Sequence, residues 1–148
     1  MTHDEVMALS DEELQIMATE LRGWRYRIVN VWNFPDLSQY TDEPFGYLIT
    51  SPNGEAWGGS LDVDERIAKS VYYPDYNDIA TAMDLALSIG DRYWMEFHTP
   101  FRVGDPSFAG FTPLGTSGWN GRPDNQCGAE KPAKAITRAY VLVMTQEE

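Results

Sequence analysis

Between Tyr72 and Met83 the chain reads Tyr-Tyr-Pro-Asp-Tyr-Asn-Asp-Ile-Ala-Thr-Ala-Met, and here its residue types come closest to a binding chemistry. Pro74 pushes Tyr73 out of the helical region, and Asn77 or Asp78 is placed to cap the first free amides of a helix. Three tyrosines and two polar acceptors therefore gather at one helix start. Unpaired N–H groups and a partial positive charge at such an end suit an anion or a ring-bearing ligand. This is the chemistry of recognition, and no segment spells out a catalytic mechanism.

Other reactive types are sparse. Asp62-Val63-Asp64-Glu65 clusters carboxylates as a hard cation requires, yet it lacks the glycine and the spaced ligands of a calcium loop and reads as a solvated acidic turn. His3 and His98 are too few and too far apart for a zinc site. Cys127 and His98 lie about thirty positions apart, and nothing in the sequence requires the contact that a Cys-His nucleophile needs. Asp91 with Glu96 fits surface charge as well as acid/base work. No catalytic residue, metal or cofactor is expected.

The chain has 148 residues, a length for one domain with one core, and a single domain over 1–148 is expected, with 1–8 and 145–148 frayed. A net charge of −12 and a sequence pI near 4.4 argue against binding along DNA or RNA, which needs clustered Lys and Arg. A single cysteine excludes an internal disulfide. The polar, acidic N-terminus has no signal-peptide pattern, and no run reaches membrane-spanning length, so the expectation is a soluble cytoplasmic protein without membrane contact. Five Trp and eight Tyr exceed what a small core needs, which assigns some rings to a pocket or an interface.

The elements that must position these residues are punctuated by caps and turns. Ser10 with Glu13 forms a capping box ahead of Leu14, Met17, Ala18 and Leu21, Gly23 suits the end of that helix, and Thr2 with Glu5 repeats the spacing for a shorter turn. Trp24 to Trp32 reads as a strand with Trp24, Tyr26 and Ile28 on one face and Arg25, Arg27 and Val29 on the other. Asn33 to Pro44 is a loop. Gly46 to Thr50, Ser51-Pro52-Asn53-Gly54 and Glu55 to Gly58 make a hairpin. Gly59 to Ser70 is polar and unassigned.

A second helix is expected from about Asn77 to Ile89, with Ile79, Met83, Ala86 and Leu87 towards the core and Gly90 after it. Arg92 to His98 alternates as a half-buried strand, Ser107 to Leu114 is a further strand, and Gly115 to Gly128 is a glycine-rich loop. Pro132 opens a closing helix through Ala135, Ile136, Ala139, Tyr140 and Val143. The order predicts an α+β domain with three helices and a mostly antiparallel sheet, arranged as an α-β-α sandwich.

Three segments stand in a telling order: Leu9-Ser10-Asp11-Glu12-Glu13-Leu14 leading to Arg22-Gly23-Trp24, then Pro74 to Met83, then Lys131-Pro132-Ala133-Lys134-Ala135-Ile136-Thr137-Arg138-Ala139. Together they resemble the small phage proteins of the ABA-sandwich and NinX-like families. Those show a leading helix ending in Gly-Trp, a Tyr-Ser-Thr-Asp-Ile-Ala-type helix start and an Ala-rich closing helix opened by Pro. The chain departs in carrying Asn77 where the family often has Ser-Thr, and in a longer glycine-rich loop.

Small phage proteins of this element order also look like the anti-defence sponges that sequester cyclic nucleotides or cyclic ADP-ribose signals of bacterial immunity. The resemblance implies a non-enzymatic, homo-oligomeric binder in an infected host. For that task Tyr73, Tyr76, Trp94 and Trp119 are the rings available to stack on a base. Arg92, Arg122 and Arg138 are the guanidinium groups available to clamp phosphate, and Asn77 or Asp78 the group to bond a ribose or base edge. Each has a structural alternative: the tyrosines and Asn77 serve a helix cap equally well, and Arg138 in an apolar helix fits either a ligand or a buried acid. The competing function is an acidic phage accessory protein that covers a basic site on a host protein, for example by nucleic-acid mimicry.

Overall fold

The structure is a computed structural model that describes residues 1–35, 43–99, 102–115 and 126–146. It is α+β, with two three-stranded antiparallel sheets and five α-helices among the described residues. The chain forms two compact units, residues 1–18 with 74–148, and residues 19–73.

In the first unit, α1 (His3–Met7) and α2 (Asp11–Leu21) both start on a serine or threonine capping box. The Thr2 hydroxyl accepts from the Glu5 amide at 3.2 Å, the Ser10 hydroxyl from the Glu13 amide at 3.1 Å, and the Glu13 carboxylate in turn accepts from the Ser10 amide at 3.3 Å. Within residues 1–8, where fraying was expected, Val6 is fully buried and α1 packs on the closing helix α5 (Pro132–Gln146). Between them run α4 (Ile79–Ser88), β4 (Tyr93–His98), β5 (Ser107–Pro113) and β6 (Gln126–Ala129).

The sheet order is β4-β5-β6, and α5 lies against β5 and β6 and against α4. Ala109, Phe111, Cys127 and Ala129 on the sheet and Ala135, Ile136, Ala139, Tyr140 and Leu142 on α5 are all buried. Small residues on both elements permit that close approach, and each buried large side chain adds about 1.5–3 kcal/mol. On α4 the inward set differs from expectation: Ala82, Leu85, Ala86 and Ile89 are buried, while Ile79 and Leu87 are exposed. The helix begins two residues later than expected, at Ile79. The end of the stretch read as loop, from Gln126 to Gly128, belongs with Ala129 to a strand paired to Ser107–Gly110; residues 116–125 of that stretch lie outside the described residues.

The second unit holds β1 (Arg25–Asn30), β2 (Phe45–Thr50) and β3 (Ala56–Ser60), a meander in that order, followed by α3 (Glu65–Tyr72). The end of α2 falls in this unit and closes by the motif that Gly23 permits. With φ at 108°, Gly23 lets its own amide reach Glu20 O and the Trp24 amide reach Thr19 O. The expected hairpin forms: the Gly54 amide donates to Ser51 O at 3.0 Å, the Ser51 amide to Glu55 O at 2.8 Å, and Ile49 stands opposite Trp57. The first strand is shorter than expected, ending at Asn30, whose side chain caps a short 3-10 turn over Val31–Asn33.

Helix α3 was not expected. Asp64, inside the acidic run, is its N-cap and accepts from the Arg66 amide at 2.8 Å, so the turn that resembled a cation site begins a helix. Lys69 on that helix binds Glu20 at 2.7 Å and Glu65 at 3.3 Å. Tyr26, Tyr47, Tyr72, Tyr73, Trp24 and Trp57 form a connected aromatic cluster, with Trp24 stacked on Trp57 at 5.7 Å and Trp57 on Tyr72 at 5.9 Å. Gly59 lies beneath Tyr47: a Cβ there would sit 2.6 Å from the phenol oxygen.

Candidate functional site

The residues proposed as a nucleotide site fall into different places. Tyr73 belongs to the second unit, is buried, meets Trp24 edge-on at 5.7 Å and reaches Glu20 Oε1 at 3.4 Å. Burial raises its hydroxyl pKa above the usual tyrosine value, with the Glu20 carboxylate adding to the effect. Tyr76, Asn77 and Asp78 belong to the first unit. Asp78 is the cap of α4, accepting from the Thr81 amide at 3.1 Å and the Thr81 hydroxyl at 2.9 Å; Asn77 is exposed and its amide donates to Asp75. Tyr76 is buried.

Tyr76 and Asn77 do line a shallow concavity of about 10 Å³, open to solvent, with Asp11, Leu14, Gln15, Lys134 and Thr137. Its polar groups are already matched. Lys134 pairs with Asp11 at 2.6 Å, Gln15 donates to Pro74 O at 2.7 Å, and the Thr137 hydroxyl donates to Ala133 O at 2.8 Å. The Lys134 ammonium holds the Asp11 carboxyl below its ordinary pKa. The contacts knit the start of α2 to α5 and to the 74–77 turn.

The Arg138 guanidinium hydrogen-bonds no acid among the described residues: it donates to Gly128 O at 2.6 Å and Met7 O at 3.4 Å, while its Nε is buried without a partner. It ties β6 and α1 to α5 through carbonyls. Arg92 folds back over the Tyr93 ring at 5.8 Å and reaches Met144 Sδ at 3.8 Å. Trp119 and Arg122 lie outside the described residues. Cys127 is fully buried on the face of β6 that carries Ala129, burial pushes its thiol up to about 11, and His98 occupies the opposite face of the sheet. No Cys-His pair exists. His3, read as part of a tail, starts α1 and donates from Nε2 to Gln126 O at 2.9 Å.

Trp94 is different. The pairing Trp94–Thr112, Glu96–Gly110, His98–Phe108, Phe108–Gly128 and Gly110–Gln126 puts these residues together on the sheet face opposite Ala109, Phe111 and Cys127. Trp94 is 64% exposed and Phe108 40%, and His98 is exposed. The Phe108 ring lies over Gly128, where a Cβ would meet it at 2.9 Å. Glu96 is half-buried and makes no hydrogen bond or ion pair among the described residues. Sequence reading singled out Trp94 and set Glu96 aside as surface charge, and only strand register shows that Phe108 shares their face. A second exposed apolar surface runs along α3, where Val63, Ile67 and Val71 recur every fourth residue beside Asp62, Asp64 and Glu65.

Comparison with known proteins found no matching family model, no matching curated protein and no matching solved structure.

Proposed function

We propose that the protein is a non-enzymatic capture protein that binds a basic region of a protein partner. The observation that carries this reading is an outward sheet face with exposed Trp94 and Phe108 on either side of the Glu96 carboxylate, which is unpaired among the described residues, on a chain of net charge −12. Clustered exposed aromatics mark interaction surfaces more than solvated ones, and a carboxylate at the centre selects for a cation. Acidity of the whole chain speeds the encounter with such a partner and makes it salt-dependent. An acidic phage accessory protein acting on a host factor would have this chemistry.

The nucleotide-sequestering alternative keeps one supporting observation: the exposed Trp94 indole is free to stack on a base. A calorimetric and thermal-shift panel separates the two. Basic peptides are expected to give heat and stabilisation that fade as salt rises, and cyclic nucleotides and cyclic ADP-ribose isomers to give neither. The opposite pattern overturns the capture reading in favour of the sponge.

A further inference from the structure

We infer that the outer face of the β4–β5–β6 sheet receives an arginine side chain of the partner, its guanidinium paired with the Glu96 carboxylate and laid against the Trp94 indole. This rests on the capture reading and names what the site grips.

Glu96 supplies the first requirement, an anion that no described residue neutralises. Its side chain is half-buried and has no donor among the described residues, and its oxygens are not among the buried polar atoms that lack a partner, so the carboxylate stays accessible to a cation from outside. The nearest arginine along the strand, Arg92, is turned onto Tyr93 and Met144 and towards Asp91 at 3.9 Å. His98, two positions beyond Glu96 on the same face, stands opposite Phe108 and closes that end.

The second requirement is that no facing side chain takes the carboxylate's place. Directly across from Glu96 is Gly110, itself buried, and across from that Gln126, so the facing position on β5 puts no side chain into a strip where opposed side chains would otherwise approach within about 4.5–5.5 Å. Phe108 lies down over Gly128 and walls the strip on one side. Trp94 precedes Glu96 by two residues on the same face, about 7 Å along the strand, which sets the indole beside the carboxylate.

These neighbours select among cations. A guanidinium is planar, stacks on an indole and pairs with a carboxylate through two parallel N–H bonds, whereas an ammonium is a compact, strongly hydrated point charge that does neither so well. The exposed Trp94 ring beside an unpaired carboxylate therefore favours arginine over lysine.

The test titrates the full chain with a short capped peptide of alternating arginine and serine, its lysine counterpart, and its citrulline counterpart, which keeps the shape and removes the charge. Glu96→Gln and Trp94→Ala are compared with Asp62→Asn, a control acid of the other unit, after urea unfolding confirms that each variant is folded. The arginine peptide is expected to bind the wild type more tightly than the lysine peptide, and the citrulline peptide not to bind. Glu96→Gln and Trp94→Ala each weaken binding by about tenfold or more, and Asp62→Asn by no more than about twofold. If the three variants lose affinity equally, attraction is diffuse and the Glu96 site is wrong while the basic-partner reading stands. If the wild type binds neither basic peptide, both fall.

Discussion

At the scale of single residues the structure turns several chemically suggestive groups inward. Arg138 is the clearest case: its guanidinium spends its donors on two carbonyls of other elements, so Arg138→Ala leaves Gly128 O and Met7 O without those donors. We expect a loss of about 1–3 kcal/mol by urea unfolding, where a ligand clamp would leave stability unchanged. Gly59→Ala drives a methyl group into the Tyr47 ring and is expected to cost about 1–3 kcal/mol by the same measurement. Cys127, buried with its thiol raised to about 11, is expected to resist thiol reagents at mildly alkaline pH until the protein unfolds.

Asp11 carries a pH dependence. Lys134 lowers its folded pKa below the ordinary 3.8, so the pair's contribution is complete above that value and is lost as pH falls through the folded pKa. The Asp11 side chain is largely exposed, and solvent screening holds the effect to about 0.2–1 kcal/mol. Chemical unfolding of Asp11→Asn should show that deficit at neutral pH and converge with the wild type in acid. A deficit that persists in acid would assign the effect to packing.

At the scale of elements, legibility followed local signals. Capping boxes at Thr2 and Ser10, the Gly23 terminator, the Ser51–Gly54 turn and Pro132 at the start of α5 are decided within a few residues, and all were readable in the sequence. Helix α3 was not, because most of its residues are exposed and only Ala68 is buried, leaving little apolar period to read. On α4 the cap is Asp78, one of the two residues read as able to cap it, and the helix begins at Ile79; Ile79 and Leu87, expected towards the core, are exposed. On the outer face of the second sheet, alternation along β4 was enough to put Trp94 and Glu96 together, whereas Phe108 joins them only through pairing of β4 with β5, and register is not a local property. Asp78→Ala should remove the α4 cap and cost about 1 kcal/mol in thermal or urea unfolding.

At the scale of the whole molecule, the chain combines a net charge of −12 with large apolar side chains left exposed in both units: Trp94 and Phe108 in one, Ile67 and Val71 in the other. A surface of this kind is suited to a basic partner with apolar contacts of its own, and among the described residues no helix is long and apolar enough to cross a membrane. The most direct measurement is native mass spectrometry of the protein taken from the cells in which it acts, repeated at rising salt. The capture reading predicts a complex whose added mass is a basic protein and which dissociates as salt rises. A retained mass of nucleotide size, or a chain that carries no protein partner at any salt concentration, would contradict it.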